Sequence, residues 1–238
     1  MAVANLYSST VSVLLGNGDG TFGPKTDYTG SSSVAIGDVS ADGWPDLVTT
    51  NYSSGGFGLG NTVSVMLGNG DGTFGPSTNF GTGTGPQKVA IADLNADGRL
   101  DLVVANYEQN SGNTVSVLLG NGDGTFGPKT DFPTGTGPYF VAIGDLNADG
   151  RPDLAVANYS PSAVSILLGN GDGTFGNRTV VGAGAQPISV AIADLNRDGR
   201  PDLAVANRYS NTVSVLPGNG DGTFAPKMDF GVGVAPFS

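Results

Sequence analysis

The chain has 238 residues, enough to bury a sizeable core, and sets 21 acidic against 10 basic side chains for a formal charge of −11. It has no Cys and no His, which removes a disulfide framework, a thiolate metal site and histidine acid–base chemistry. No basic surface for nucleic acid is expected, and no apolar run approaches the ~18 residues of a membrane-spanning helix.

The N-terminal Met-Ala-Val-Ala-Asn has neither the basic nor the apolar segment of a signal peptide. Ala2-Val3-Ala4-Asn5 recurs at Ala155–Asn158 and Ala204–Asn207, and Gly-Asn-Gly-Asp-Gly-Thr-Phe begins at Gly16, Gly68, Gly120, Gly169 and Gly218, every 49–52 residues. Internal repetition of this length points to stacked units. In the unit 139–186 four β-branched runs read as strands: Phe140–Gly144, Asp153–Asn158, Ala163–Leu168 and Asn177–Val181. Four antiparallel strands in about 50 residues fit a β-propeller blade. The predicted fold is therefore an all-β propeller of about five blades in a single domain, with units near 1–32, 33–86, 87–138, 139–186 and 187–238. Along the first strand, small Ala142 and Gly144 alternate with branched Val141 and Ile143, so closely packed sheets are expected.

The first unit begins inside a second strand, and Ala235-Pro236-Phe237-Ser238 matches residues that precede a first strand elsewhere. The expected ring thus has a three-stranded first blade. The alternatives are a piece of a larger propeller, or a chain that self-associates by strand exchange through that blade.

Between the first and second strands of each complete unit lies an acidic loop. Its positions 1, 3, 5 and 9 carry Asp38/Ser40/Asp42/Asp46, Asp93/Asn95/Asp97/Asp101, Asp145/Asn147/Asp149/Asp153 and Asp194/Asn196/Asp198/Asp202. Alternate oxygens on a tight loop suit a hard cation that takes six to eight oxygen ligands, and the position-7 carbonyls of Trp44, Arg99, Arg151 and Arg200 add one more. A glycine after the third ligand supplies the turn. An EF-hand is excluded, because position 12 is Thr49, Val104, Val156 or Val205 rather than Glu, and strands rather than helices flank the loop. The expectation is about four Ca²⁺ in structural sites, weakest at 38–46, where Ser40 replaces Asn. The Gly-Asn-Gly-Asp-Gly-Thr-Phe segments read as tight hairpin turns, with Phe22, Phe74, Phe126, Phe175 and Phe224 anchored in the core.

Asp-x-Asn-x-Asp-Gly-x-x-Asp, with Val-Ala-Ile-Gly before it and Leu-Ala-Val-Ala-Asn after it, resembles the FG-GAP/VCBS repeats of integrin α-chain propellers, bacterial surface proteins and some fungal lectins. The resemblance spans nearly the whole chain. It implies calcium on the acidic loops and an extracellular or cell-surface setting. Because lectins, adhesion modules and enzyme-attached domains share these repeats, it leaves the partner open.

The remaining loops, between second and third strands and between units, vary in length and carry Tyr52, Tyr107, Tyr159 and Tyr209 among amides and hydroxyls. A tyrosine ring packs on the C–H face of a sugar while polar neighbours meet its hydroxyls, so these four are the ligand candidates for a glycan or protein on that face. An enzyme is not expected: Glu108 is the one Glu, and no nucleophile–base pair stands out. The function expected is a non-enzymatic, calcium-binding, lectin- or adhesion-like module. The rivals are a purely structural array and a polysaccharide lyase module.

Overall fold

The computed structural model describes residues 1–52 and 60–237. Its strands fall into five separate antiparallel sheets. Blade 1 holds β1 (Ala2–Asn5), β2 (Thr10–Val13) and β3 (Thr26–Thr29). Blade 2 holds β4 (Val34–Gly37), β5 (Asp46–Thr50), β6 (Thr62–Met66) and β7 (Thr78–Gly81). Blade 3 holds β8 (Pro86–Ala92), β9 (Asp101–Asn106), β10 (Thr114–Leu118) and β11 (Thr130–Pro133). Blade 4 holds β12 (Thr136–Gly144), β13 (Asp153–Ser160), β14 (Ala163–Leu167) and β15 (Thr179–Gly182). Blade 5 holds β16 (Pro187–Ala193), β17 (Asp202–Asn207), β18 (Thr212–Leu216) and β19 (Met228–Gly231). In each blade consecutive strands are neighbours, and the first strands β4, β8, β12 and β16 contact one another in series. The chain is an all-β propeller of five blades, the first with three strands.

The second strands are the driest part of the molecule. Every residue of β9, and Asp153–Asn158 in β13, is buried, because each such strand is covered on both faces by neighbouring blades. That explains their near-continuous apolar runs in place of strict alternation. The core is correspondingly divided between blades. One cluster joins Val11 and Val13 to Leu47 and Met66, another Val63 and Val65 to Leu102 and Val104. Two more join blade 3 to blade 4 and blade 4 to blade 5. The expected small-against-branched packing is present: Ile91 meets Gly37, and Ile192 meets Gly144 at a spacing that leaves a Cβ there tight.

Three of the four interfaces repeat one aromatic contact; between blades 4 and 5, Val181 stands where the others have a ring. The fourth strand of one blade lays its ring edge-on against the turn Phe of the next: Tyr28–Phe74 at 5.3 Å, Phe80–Phe126 at 5.2 Å and Phe132–Phe175 at 5.2 Å. Polar latches run beside it. The N–H groups of Gly83, Gly135 and Gly184, in the links between units, donate to Ser116, Ser165 and Ser214 of the following blade at 2.9–3.1 Å. The series stops at blade 5. Phe230 of β19 is 53% exposed and Phe22 of blade 1 is 47% exposed, so the two halves of one further interface of this kind face solvent.

The strand limits differ from expectation at the centre of the ring. The first strand of blade 4 begins at Thr136, not Phe140, and carries a bulge between Pro138 and Phe140. Blades 3 and 5 have the same bulge, between Pro86 and Lys88 and between Pro187 and Ser189. The extra residue interrupts the period-2 pattern ahead of Phe140, so the alternation marks only the part of the strand after the bulge. The third and fourth strands of that unit end at Leu167 and begin at Thr179, where the turn residues take over the pairing. Of the loop between Asn51 and Gly60, residues 53–59 lie outside the described residues.

Candidate metal loops and ligand face

The acidic loops have one architecture. In the 145–153 loop, Asp145 accepts the N–H groups of Asp149 at 3.1 Å and Gly150 at 2.8 Å, on its two separate oxygens. Asp149 accepts the N–H of Arg151 at 2.9 Å. Asn147 accepts the N–H of Asp149 and donates its Nδ2 to Asp149 Oδ2 at 3.0 Å. The loops at 93–101 and 194–202 repeat these bonds. The 38–46 loop keeps the bonds to Asp38 and Asp42, but Ser40 donates to Asp38 instead. Gly43, Gly98, Gly150 and Gly199 all have φ between +80 and +89°, the conformation foreseen for the residue that turns the loop.

Position 9 does something the sequence did not announce. Asp46, Asp101, Asp153 and Asp202 are at most 1% exposed. In each, Oδ2 accepts an N–H from position 2 of the loop, and Oδ1 accepts the N–H of Gly68, Gly120, Gly169 or Gly218 in the Gly-Asn-Gly-Asp-Gly turn, all within 2.7–3.0 Å. The buried carboxylate therefore pins the acidic loop to the neighbouring turn of the same blade. For Asp101 and Asp153, burial pushes the carboxyl above its ordinary range. The two N–H groups pull it back, and the other two carboxylates of the loop add to the rise.

The position-7 side chains leave the loop and lie over that turn. Trp44 covers Gly70, and Arg99, Arg151 and Arg200 cover Gly122, Gly171 and Gly220. The turn aspartates Asp19, Asp71, Asp123, Asp172 and Asp221 each accept both the hydroxyl and the N–H of the Thr two residues on. These bonds hold their carboxyls below the usual range. They are turn formers, as the tight-turn reading has it.

The donor set of each acidic loop is chemically suited to Ca²⁺: oxygens alone, three of them carboxylates, with a backbone carbonyl at position 7. Among the described residues no three acidic side chains are drawn together as a metal cluster. The carboxylates instead face the loop's own amides, which supply the positive ends a cation would otherwise provide.

On the opposite face the structure gathers three of the four ligand candidates. Tyr107 lies edge-on to Tyr159 at 6.1 Å and to Tyr139 at 5.2 Å. Tyr52 is close enough to add to the shifts of both Tyr107 and Tyr139. Burial, reinforced by the neighbouring phenols, pushes Tyr107 up to about 12. Tyr209 stands apart. It is 75% exposed and shares a shallow groove with Tyr159, Arg208, Gln186 and Asn211. Tyr139 was not among the candidates, because the bulge that aims it outward from the strand has no sequence signature beyond a Pro before an aromatic pair.

A family model described as FG-GAP-like repeat matches residues 38–104, 93–156, 145–205 and 194–238. No curated protein gives a significant match. Among solved structures, the chain is similar to an Agrocybe aegerita lectin that recognises non-reducing terminal N-acetylglucosamine. The identity is 25% and the TM-score 0.59, over 92% of this chain and 60% of the lectin. It is also similar to a functionally unknown protein from Desulfotomaculum acetoxidans (18% identity, TM-score 0.68, 97% of this chain and 66% of that one). A third likeness is to BBS1N, solved in complex with ARL6DN (14% identity, TM-score 0.58, 85% and 57%). The chain thus spans about three fifths to two thirds of the length of these structures.

Proposed function

This chain belongs to the FG-GAP-like repeat family, and from that premise we propose that it is a non-enzymatic, calcium-binding propeller that recognises carbohydrate on its tyrosine-lined face. The observation that carries the reading is the cluster of Tyr107, Tyr139 and Tyr159 where loops of blades 3 and 4 meet. Clustered rings on a rigid scaffold offer apolar area at little entropic cost, and Arg208 and Gln186 stand beside them to meet hydroxyls. The likeness to the Agrocybe lectin supports carbohydrate over other ligands.

Calcium acts structurally in this account. The carboxylates of Asp38, Asp42, Asp46, Asp93, Asp97, Asp101, Asp145, Asp149, Asp153, Asp194, Asp198 and Asp202, with Ser40, Asn95, Asn147, Asn196 and the carbonyls of Trp44, Arg99, Arg151 and Arg200, would hold it. The position-9 aspartates join loop to blade whether or not the ion is bound. Bound ions stabilise the fold by mass action, which suits the calcium-rich extracellular or cell-surface setting proposed here.

The test is a glycan array probed with the wild-type chain and with Tyr107→Ala and Tyr159→Ala in excess calcium. Binding to a defined glycan set that both variants lose supports the reading. Silent arrays would turn it toward a structural or protein-binding module, and shortened polysaccharide products would turn it toward a lyase.

A further inference from the structure

Residues of all five blades, among them Ala4, Val34, Lys88, Phe140 and Ile188, line an open cavity of about 250 Å³ at the axis they surround. Its wall includes Ser32, Gln87, Lys88, Tyr139, Phe140 and Phe237. The three bulges described above all serve it: the extra residues are Gln87, Tyr139 and Ile188, and each lines the cavity. Bulges repeated at one register re-aim side chains, a device common beside binding sites.

Lys88 is the unexplained group. It is partly buried, and among the described residues it makes no ion pair or hydrogen bond. Its Nζ lies 4.7 Å from the centroid of the Phe140 ring, a contact that partly offsets lost hydration but satisfies none of the three N–H donors. A chain with 21 acidic side chains places none of them in this wall. The nearby hydroxyls are engaged elsewhere: Ser32 bonds to Thr50 and to the carbonyls of Pro86 and Gln87, and Ser33 accepts the N–H of Val89. Buried cations are ordinarily paired. A partly buried, unpaired one on an open cavity wall takes its acceptors from whatever enters the cavity, water or a ligand.

One cation among aromatic walls matches a singly charged anion with a carbon skeleton, whereas a dianionic phosphate would call for a cluster of donors. We propose that the axial cavity binds a small organic monocarboxylate, with its carboxylate on Lys88 Nζ and its skeleton against Tyr139 and Phe140. The site shares Tyr139 with the Tyr107–Tyr159 surface but differs from it in charge and in its key residue, and it does not depend on the carbohydrate reading.

The experiment is ligand-observed NMR titration of the calcium-loaded chain with two matched pairs, benzoate with benzamide and glucuronate with glucuronamide. At least one acid should bind saturably below about 50 mM, within the range of weak fragment-sized ligands. Its amide, which has lost the charge, should bind about tenfold more weakly or not at all. Lys88→Met, which keeps the aliphatic stem, should abolish that binding, and Lys88→Arg should retain it. Far-UV circular dichroism and a melting curve establish that each variant is folded, and Lys88→Gln replaces Lys88→Met if that one is not. Equal binding of acid and amide, undiminished binding by the folded Met or Gln variant, or no binding of either acid would each overturn the proposal.

Discussion

Replacing Asp153 with alanine should unfold the chain more readily even when no calcium is present. The side chain is 0% exposed, and its oxygens accept the N–H groups of Leu146 at 2.8 Å and Gly169 at 2.7 Å. Both donors sit in a dry environment, so truncation strands two buried N–H groups at about 1–3 kcal/mol each, or roughly 2–6 kcal/mol in all. For a chain of this size that corresponds to a fall in melting temperature of about 5–20 °C. Asp149→Ala, four residues earlier, removes an exposed carboxylate whose bond to the Arg151 N–H water can replace, so in EDTA it should cost about 0.5 kcal/mol. Urea denaturation of both variants in excess EDTA, followed by circular dichroism, separates the two roles. Equal losses in EDTA, or a loss for Asp153→Ala below about 1 kcal/mol, would refute the view that position 9 pins loop to turn independently of the ion.

Gly173 has φ +80°, and an added Cβ would meet the Leu119 side chain at 2.6 Å; Gly173→Ala should therefore cost about 1–3 kcal/mol in urea denaturation. Tyr107 titrates near 12 in the folded chain against an ordinary value of 10.0, so the unfolded chain loses this proton first. The stability it contributes is whole below pH 10 and is lost as pH rises through the folded value; Tyr107→Phe should flatten the alkaline fall in melting temperature between those limits. The exposed Phe22 and Phe230 predict concentration-dependent association in sedimentation velocity. Phe230→Asp should abolish it, whereas a wild-type chain that stays monomeric at high concentration would refute that use of the open faces.

The blades were legible because the sequence repeats its own turn chemistry. Gly-Asn-Gly-Asp-Gly-Thr-Phe marks each third-to-fourth-strand hairpin, and the β-branched runs mark the strands between. The acidic loops were legible as turns for the same reason, since Asp and Asn on alternate residues followed by Gly bond to the loop's own amides. What stayed hidden depends on contacts between segments distant in the chain. Nothing in the 145–153 stretch announces that Asp153 reaches Gly169, because that bond exists only once two hairpins are folded side by side. Tyr139 and Lys88 were missed for another reason. A bulge just before each regular run, between Pro86 and Lys88 and between Pro138 and Phe140, left Lys88 and Tyr139 outside the strand that the alternation marks. The three-stranded first blade was read correctly, since Ala2–Asn5 copies second strands elsewhere in the chain.

The calcium assignment is tested most directly by counting the ions. The EDTA-stripped chain, dialysed to equilibrium against millimolar calcium and measured by elemental analysis, should retain about four Ca²⁺ per chain. Its melting temperature should rise together with occupancy, since each site at a hundredfold excess over its Kd contributes about 2.7 kcal/mol. Retention indistinguishable from the buffer, with a melting temperature unmoved by calcium, would contradict the account: the acidic loops would then be turns held by their own amides alone.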